Sequence, residues 1–186
     1  MAVFAPSQLE ITKSALVQIG ADTITSLTEN VKRAGTANQL YPTVKRSFLT
    51  KRHWNFAKAK VALARLTATP LNRWSFGYQL PADLLKLITT YPPSDYEVQG
   101  DKLYTNATTV EIDYISNVDE DLMPWFAVEA LELWFAARLA IPVAQSRTLM
   151  DDMTALFQDA MNEAKAADSQ QAPNTPVADA PFIDCR

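Results

Sequence analysis

The chain is poor in the residues that usually build redox and catalytic sites. Its 186 residues include one cysteine, one histidine and four glycines. A single thiol, Cys185, cannot form an internal disulfide bond, so the fold does not require an oxidising compartment. Neither of the glycine-rich patterns GxxxxGK[ST] and GxGxxG occurs, which argues against a loop that cradles phosphate groups.

No set of residues in the sequence matches a reaction centre. The lone histidine, His53, has no second histidine or cysteine at metal-ligand spacing, and no nucleophile pattern accompanies it. Asp119–Asp121 and Asp151–Asp152 could hold a divalent cation, but acids at helix entries and on solvated faces are far commoner. Cys185 has only Arg186 as a basic neighbour, so we expect no reactive thiolate. The sequence therefore predicts no enzyme, no metal site and no cofactor.

Long hydrophobic runs are missing as well. The most apolar segment, residues 123–144, contains Glu129, Glu132 and Arg138, which is typical of a buried helix rather than a transmembrane one. The first ten residues, MAVFAPSQLE, lack a basic region followed by a long apolar run, so we expect no signal peptide. We expect a soluble protein that is made in the cytoplasm and has no membrane contact.

Charge is distributed unevenly along the chain. Residues 1–75 carry 11 Lys and Arg against 3 Asp and Glu, a balance of +8. Residues 76–186 carry 6 against 18, a balance of −12. This asymmetry indicates an oriented partner or self-association between unlike surfaces, and the alternative is a monomer with two solvated faces.

Helical periodicity occurs on both sides of a central region. A capping box at Ser7–Glu10 begins a first helix that ends at Gly20, and Thr28 or Asn30 is expected to cap a second that runs to about Lys51. The second helix has a narrow apolar seam. Pro42 lies off this seam, and we expect it to kink the helix. The seam positions are Ala34, Ala37, Tyr41, Val44 and Phe48.

Two further helices follow the central region. The third runs from about Met123 to Leu139 or Ile141 and is apolar nearly all round, which predicts the central helix of a bundle. The fourth begins at Ser146 and fades near Asp168. Its expected core positions are Leu149, Met153, Leu156, Ala160 and Ala164, with Met150, Phe157 and Met161 beside them.

The region between the helices changes to a period of two, which is typical of strands. About five short strands are expected, at residues 57–64, 74–80, 95–98, 102–105 and 109–115, with residues 84–91 as a helical turn or a further strand. The predicted fold is α+β, an antiparallel bundle of about four helices with an inserted antiparallel β-sheet or sandwich. The expected units are bundle helices at 1–56 and 119–168, a β region at 57–118 and an extended tail at 169–186.

The joint between helix and strand, residues 40–63, carries the densest positive charge. Its lysines and arginines could contact nucleic-acid phosphates while the aromatic residues stack on bases, or the aromatic residues could seal the junction while the charges are solvated or meet an anionic partner. We favour the second interpretation for the aromatic residues. The expected structural hinge is Pro42, His53, Trp54 and Phe56.

The order of these features resembles the head-to-tail adaptor (connector) family of tailed bacteriophages, often called tail tubular protein A. The resemblance covers roughly residues 8–165 and leaves out the final eighteen. The Tyr114-Ile115 strand end and an alanine-rich final helix pair belong to it. Its other segments are ALVQIG at 15–20, ITSL at 24–27, LYP at 40–42, HWNFA at 53–57, YQLPAD at 78–83 and LYT at 103–105.

This resemblance implies a structural virion protein that forms a ring, commonly of twelve subunits. The ring would bind the portal protein above and the tail tube, nozzle or terminator protein below, and double-stranded DNA would pass through its lumen without sequence-specific contacts. Its location would be the head-to-tail junction of the virion, and the host cytoplasm during assembly. The alternative is a non-catalytic DNA-binding module that acts outside a ring.

Two sets of contact residues follow as hypotheses. The tail would pack against the portal through Pro173, Pro176, Phe182, Ile183 and Arg186. Subunit contacts or the DNA channel would use Lys45, Lys51, Arg52, Lys58 and Lys60.

Overall fold

A computed structural model of the chain describes residues 6–68, 70 and 73–171. The described part is a mixed α+β fold in which a β region lies between the second and third helices, as the sequence predicts. Its helices are α1 (Gln8–Gln18), α2 (Lys32–Thr50), α3 (Trp125–Ala140) and α4 (Arg147–Gln170). Its strands are β1 (Lys58–Ala62), β2 (Phe76–Gln79), β3 (Leu84–Tyr91), β4 (Tyr96–Gln99), β5 (Lys102–Thr105) and β6 (Glu111–Ser116).

Helix α3 is the centre of the bundle, as predicted, because it packs against α1, α2 and α4. Alanine occupies many of its buried positions, and so small a side chain lets neighbouring helices approach closely. All five predicted seam positions of α2 are buried, and the ring of Tyr41 meets Phe135 of α3 edge to face at 5.3 Å between centroids. Pro42 lies within α2 and is exposed, and the helix continues across it.

Two details of the helices differ from the sequence prediction. Neither Thr28 nor Asn30 caps α2; the N-cap is Val31, which makes no side-chain capping bond. Leu156 of α4 is 49% exposed, while Phe157 and Met161 are buried in the core. The ring of Phe157 lies 4.8 Å from that of Trp134, and this pairing turns α4 so that Leu156 points outward.

The β region contains two three-stranded antiparallel sheets, ordered β1-β6-β3 and β2-β5-β4. Residues 84–91 form a strand rather than a helical turn, so the described residues hold six strands where the sequence predicted about five. The predicted turn between β4 and β5 is present and uses the left-handed backbone of Gly100, at φ 63°. The sequence left a single sheet or a sandwich open, and the described residues form two sheets.

The central strand β6 joins the helix layer to the second sheet. Its side chains alternate between faces, so Ile112 and Tyr114 pack in the core between the sheets while Ile115 packs in the helical core. Tyr78 and Leu103 of the second sheet complete the core between the sheets. The helices, the first sheet and the second sheet thus form three successive layers.

The end of the chain differs from its predicted unit. Ser169 and Gln170, which the sequence placed in an extended tail, belong to α4. The proposed portal contacts lie outside the described residues; they are Pro173, Pro176, Phe182, Ile183 and Arg186. Among the described residues, no helix is long and apolar enough to cross a membrane.

Glu132 of α3 is a carboxyl group held between helices. The hydroxyl of Ser14 in α1 donates to its Oε2 at 2.6 Å. Burial raises the pKa of Glu132 above its ordinary value of 4.5, and the charge of Glu129 adds to this while the Ser14 bond opposes it. A raised folded-state pKa contributes stability that is present below the unfolded pKa and is lost as pH rises through the folded pKa.

Glu132→Gln should therefore stabilise the protein at neutral pH, because the amide keeps an oxygen that accepts from Ser14 and carries no charge to desolvate. We expect a melting temperature about 2 °C higher than wild type at pH 7, and no gain at pH 4, where both proteins are neutral at this position. Glu111→Gln, at an exposed position of β6, is the matched control and should show neither effect. An unchanged or lower melting temperature for Glu132→Gln at pH 7 would contradict the assigned cause.

Candidate contact surface at the helix–sheet junction

The segment between α2 and β1 is held by a ladder of aromatic rings. Trp54 is fully buried; its ring stacks on Phe48 of α2 at 5.3 Å, and its Nε1 donates to the Phe48 carbonyl at 3.4 Å. The Phe56 ring lies 5.6 Å from Trp54 and 6.5 Å from Phe126 of α3. The rings therefore connect α2, the junction and α3, and neither Trp54 nor Phe56 is placed to stack on a nucleic-acid base.

A buried carboxylate fastens the same segment to the end of α4. Asp168 is 1% exposed; its Oδ1 accepts from the backbone N–H of Asn55 at 2.9 Å and its Oδ2 from Nε of Arg52 at 3.4 Å. The Asn55 side chain donates back to the Asp168 carbonyl at 2.7 Å, and Arg52 also donates to the Ser169 hydroxyl at 2.7 Å. The sequence analysis missed Asp168, because an acid in a fading helix carries no signal of a partner more than a hundred residues away.

Lys45 lies inside the fold, unlike the open surface position that a channel or subunit contact requires. It is 8% exposed, and its Nζ donates to Oε1 of Glu120 at 3.0 Å. Burial alone would raise the pKa of Glu120, but the hydrogen bonds that its carboxylate accepts, first that of Lys45, together with the Lys45 charge, outweigh burial and hold that pKa below its ordinary value. Lys45 therefore ties α2 to the turn before α3.

The other four basic residues proposed as contacts lie nearer the surface, and they differ in how strongly partners within the fold hold them. Lys51 rests on Trp134, with its Nζ 4.4 Å from the ring centroid, and Arg52 is committed to Asp168. Lys58 donates to the side chain of Asn55 at 2.8 Å. Lys60 is 78% exposed and lies 3.4 Å from Asp113 on β6, a pair that solvent screens strongly.

A shallow depression gathers positive charge from separate elements. Lys51, Arg52 and His53 line it from the end of α2, and Lys86 lines it from β3. We call these four residues, together with Lys58, the junction basic surface. The depression has no acidic residue in its lining. The sequence analysis missed Lys86, which reaches the site only because β3 pairs with β6 beside β1.

The pKa of His53 reports the electrostatics of this surface. Desolvation lowers the pKa of His53, and the charges of Lys86, Lys58 and Arg52 lower it further. His53 is therefore neutral at pH 7, and its exposed side chain lies beside three cations. Such an arrangement suits an anion such as a phosphate group or a carboxylate. Within the described part of the chain, no group of three or more His, Cys, Asp or Glu is placed to hold a metal ion.

Asp168→Ala should weaken the whole fold, because it leaves the Asn55 N–H and the Arg52 guanidinium without their acceptor. We expect a loss of about 2 kcal/mol in the free energy of unfolding, measured by urea denaturation. Asp151→Ala removes an exposed acid from the same helix and should cost less than about 0.5 kcal/mol. Equal losses for the two variants would show that the junction does not depend on Asp168.

Comparisons with known proteins do not assign the chain to a family. A scan against models of protein families finds no match, and a search of curated proteins finds none either.

Proposed function

We propose that the chain is a subunit of a bacteriophage head-to-tail adaptor, a non-enzymatic virion ring that joins the portal to the tail and surrounds the DNA. The support is the resemblance in sequence together with the position of its residues in the fold. The ring would contain about twelve copies, with the portal above and a tail tube, nozzle or terminator protein below.

The observation that carries the proposal concerns the two most specific segments of the resemblance, HWNFA and YQLPAD. Both make contacts that hold neighbouring parts of the fold in place. In HWNFA, Trp54 and Asn55 fasten α2 and α4 to the junction, and the Ala57 carbonyl accepts from Ser116 of β6 at 3.1 Å. Residues that fix the path of the chain in this way are suited to a structural protein.

The second segment, YQLPAD, runs from β2 of the second sheet to the start of β3 in the first sheet. The Tyr78 hydroxyl donates to the Ala107 carbonyl at 2.8 Å. Asp83 receives the backbone N–H of Asn117 at 2.8 Å through its carbonyl and the Tyr114 hydroxyl at 3.3 Å through its carboxylate. The first segment therefore lies where the helices meet the first sheet, and the second lies where the chain passes from one sheet to the other.

The junction basic surface is the proposed meeting point with DNA or an acidic neighbouring surface. Lys51, Arg52 and Lys58 belong to it, and exposed Lys60 lies just beyond it on β1. We exclude Lys45 from this role because it is buried against Glu120. A ring would repeat the cationic surface around its axis, so weak contacts with phosphates would add up without reading base sequence.

The cationic depression also favours the alternative function, a DNA-binding module that acts outside a ring. Such a module would bind free duplex DNA as an isolated protein, with affinity that falls steeply as salt is raised. Lys58→Glu combined with Lys60→Glu would then weaken that binding. An adaptor binds isolated DNA poorly, because its lumen exists only in the ring.

The decisive experiment measures the mass and shape of the protein alone and mixed with its cognate portal protein. We expect a closed ring of about twelve copies on the portal, seen by electron microscopy and by a matching mass. The free protein should show little affinity for linear duplex DNA at physiological salt. No portal complex, together with tight and salt-dependent binding of free DNA, would replace the adaptor with the alternative.

The proposed portal contact of the tail is tested by truncation. A chain that ends at Gln171 keeps α4 and its bonds at Asp168, and it lacks Phe182, Ile183 and the other proposed portal contacts. We expect it to keep the wild-type melting temperature and to lose co-purification with the portal. Retained portal binding by the truncated chain would refute the role of the tail while leaving the ring itself open to the mass experiment.

A further inference from the structure

Helices α2 and α3 leave an apolar groove between them that is open to solvent. The groove encloses about 490 Å³, and six residues form most of it: Leu40, Thr43 and Val44 on α2, Trp134 and Arg138 on α3, and Pro142 beyond α3. Its lining contains no acidic residue. A groove of this kind accepts one face of an amphipathic helix.

The charges at the groove are positive. The Arg138 guanidinium lies 4.5 Å from the ring centroid of Trp134, and Lys51 lies 4.4 Å from the same centroid. Two cations therefore flank the Trp134 ring. A ligand that carries carboxylates beside an apolar side chain would complement both the apolar groove and the cations at its edge.

Helix α4 presents such a face to solvent. Asp152, Leu156, Asp159 and Glu163 are all exposed and recur at intervals of four, three and four residues, which places them on one stripe of the helix. Among the described residues, none of the three acids makes a hydrogen bond or an ion pair. Leu156 is a large apolar side chain in the middle of this acidic stripe, left 49% exposed because the neighbouring Phe157 is the residue that faces the core.

We infer that the α2–α3 groove of one copy binds the Asp152–Glu163 face of α4 of a second copy, with Leu156 inserted beside Trp134. The three acids then lie near Arg138 and Lys51 of the receiving copy. DNA fits the groove poorly, because a phosphate backbone has no apolar side chain for its floor. This contact would be the subunit interface of the ring, so the inference rests on the proposed function.

The contact is heterologous, because the groove and the α4 face are different patches on one subunit. Each copy can then receive one neighbour and be received by another, which builds a ring or a filament instead of a closed pair. Salt weakens the attraction between acids and cations, so self-association should fall as ionic strength rises.

Cross-linking between two single-cysteine variants tests this arrangement. In a Cys185→Ser background, Thr43→Cys places a thiol in the groove and Asp159→Cys places one on the α4 face, both at exposed positions. We expect a short bismaleimide to yield a one-to-one cross-linked dimer from the mixture and none from either variant alone. A dimer from Thr43→Cys alone would overturn the inference, because it would pair groove with groove.

Point variants measure the energetic role of Leu156. Leu156→Arg should weaken self-association about 30-fold in sedimentation equilibrium, because it puts a large cation where the groove already carries two. Gln158→Arg is the matched control on an exposed part of the same helix outside the stripe, and it should change association less than twofold. Both variants should keep the wild-type melting temperature; equal association for both would overturn the inference.

The outcomes separate this contact from the proposed function. Rings on the portal without the mixed cross-link would overturn the contact and keep the adaptor. The mixed cross-link without portal binding would support the contact and remove the adaptor. Cross-linking that disappears when portal protein is added, or that forms only after residues 172–186 are removed, would assign the groove to the portal or to the tail and overturn the inference.

Discussion

The path of the chain from helix to sheet depends on one buried carboxylate. An acid in the last turn of a helix is disfavoured by the partial negative charge of the helix end, and burial adds a desolvation cost. Asp168 meets both conditions, so it is stable only with the N–H of Asn55 and the guanidinium of Arg52 as donors. The last turn of α4 therefore fixes where α2 ends and where β1 begins, and the aromatic ladder of Trp54 packs on a segment that is already fastened.

This requirement divides the positive charge of the chain into two groups. Lys45 and Arg52 pair with carboxylates of the fold; Lys45 is buried and contributes little to the field that a partner meets, whereas Arg52 stays partly exposed within the junction basic surface. Lys58, His53 and Lys86 have no acidic partner among the described residues. The lowered pKa of His53 reflects the charge of this surface, because Lys86, Lys58 and Arg52 add to the effect of burial. A count of charges along the sequence cannot make this division.

Features that repeat within one element could be predicted from the sequence. The seam of α2 and the alternation of β6 are set by period alone, and the structure confirms both. Features that need a distant partner could not be predicted. The exposure of Leu156 follows from the pairing of Phe157 with Trp134, the burial of Lys45 follows from Glu120, and Lys86 reaches the basic surface through sheet pairing. For the same reason, the fold class could be predicted from the sequence more completely than the contact surface.

Electrostatics also restricts how copies of this chain can associate. Groove against groove would bring Arg138 and Lys51 of one copy towards those of another, and α4 against α4 would bring together unpaired acids. Like charges across an interface are unfavourable, so both symmetric pairings are penalised while the groove-to-α4 pairing is favoured. In the proposed contact, a pair of copies would still leave one groove and one α4 face unfilled. The angle between the groove and the α4 face would then determine whether successive copies close into the proposed ring, and the sheets contribute no residue to either patch.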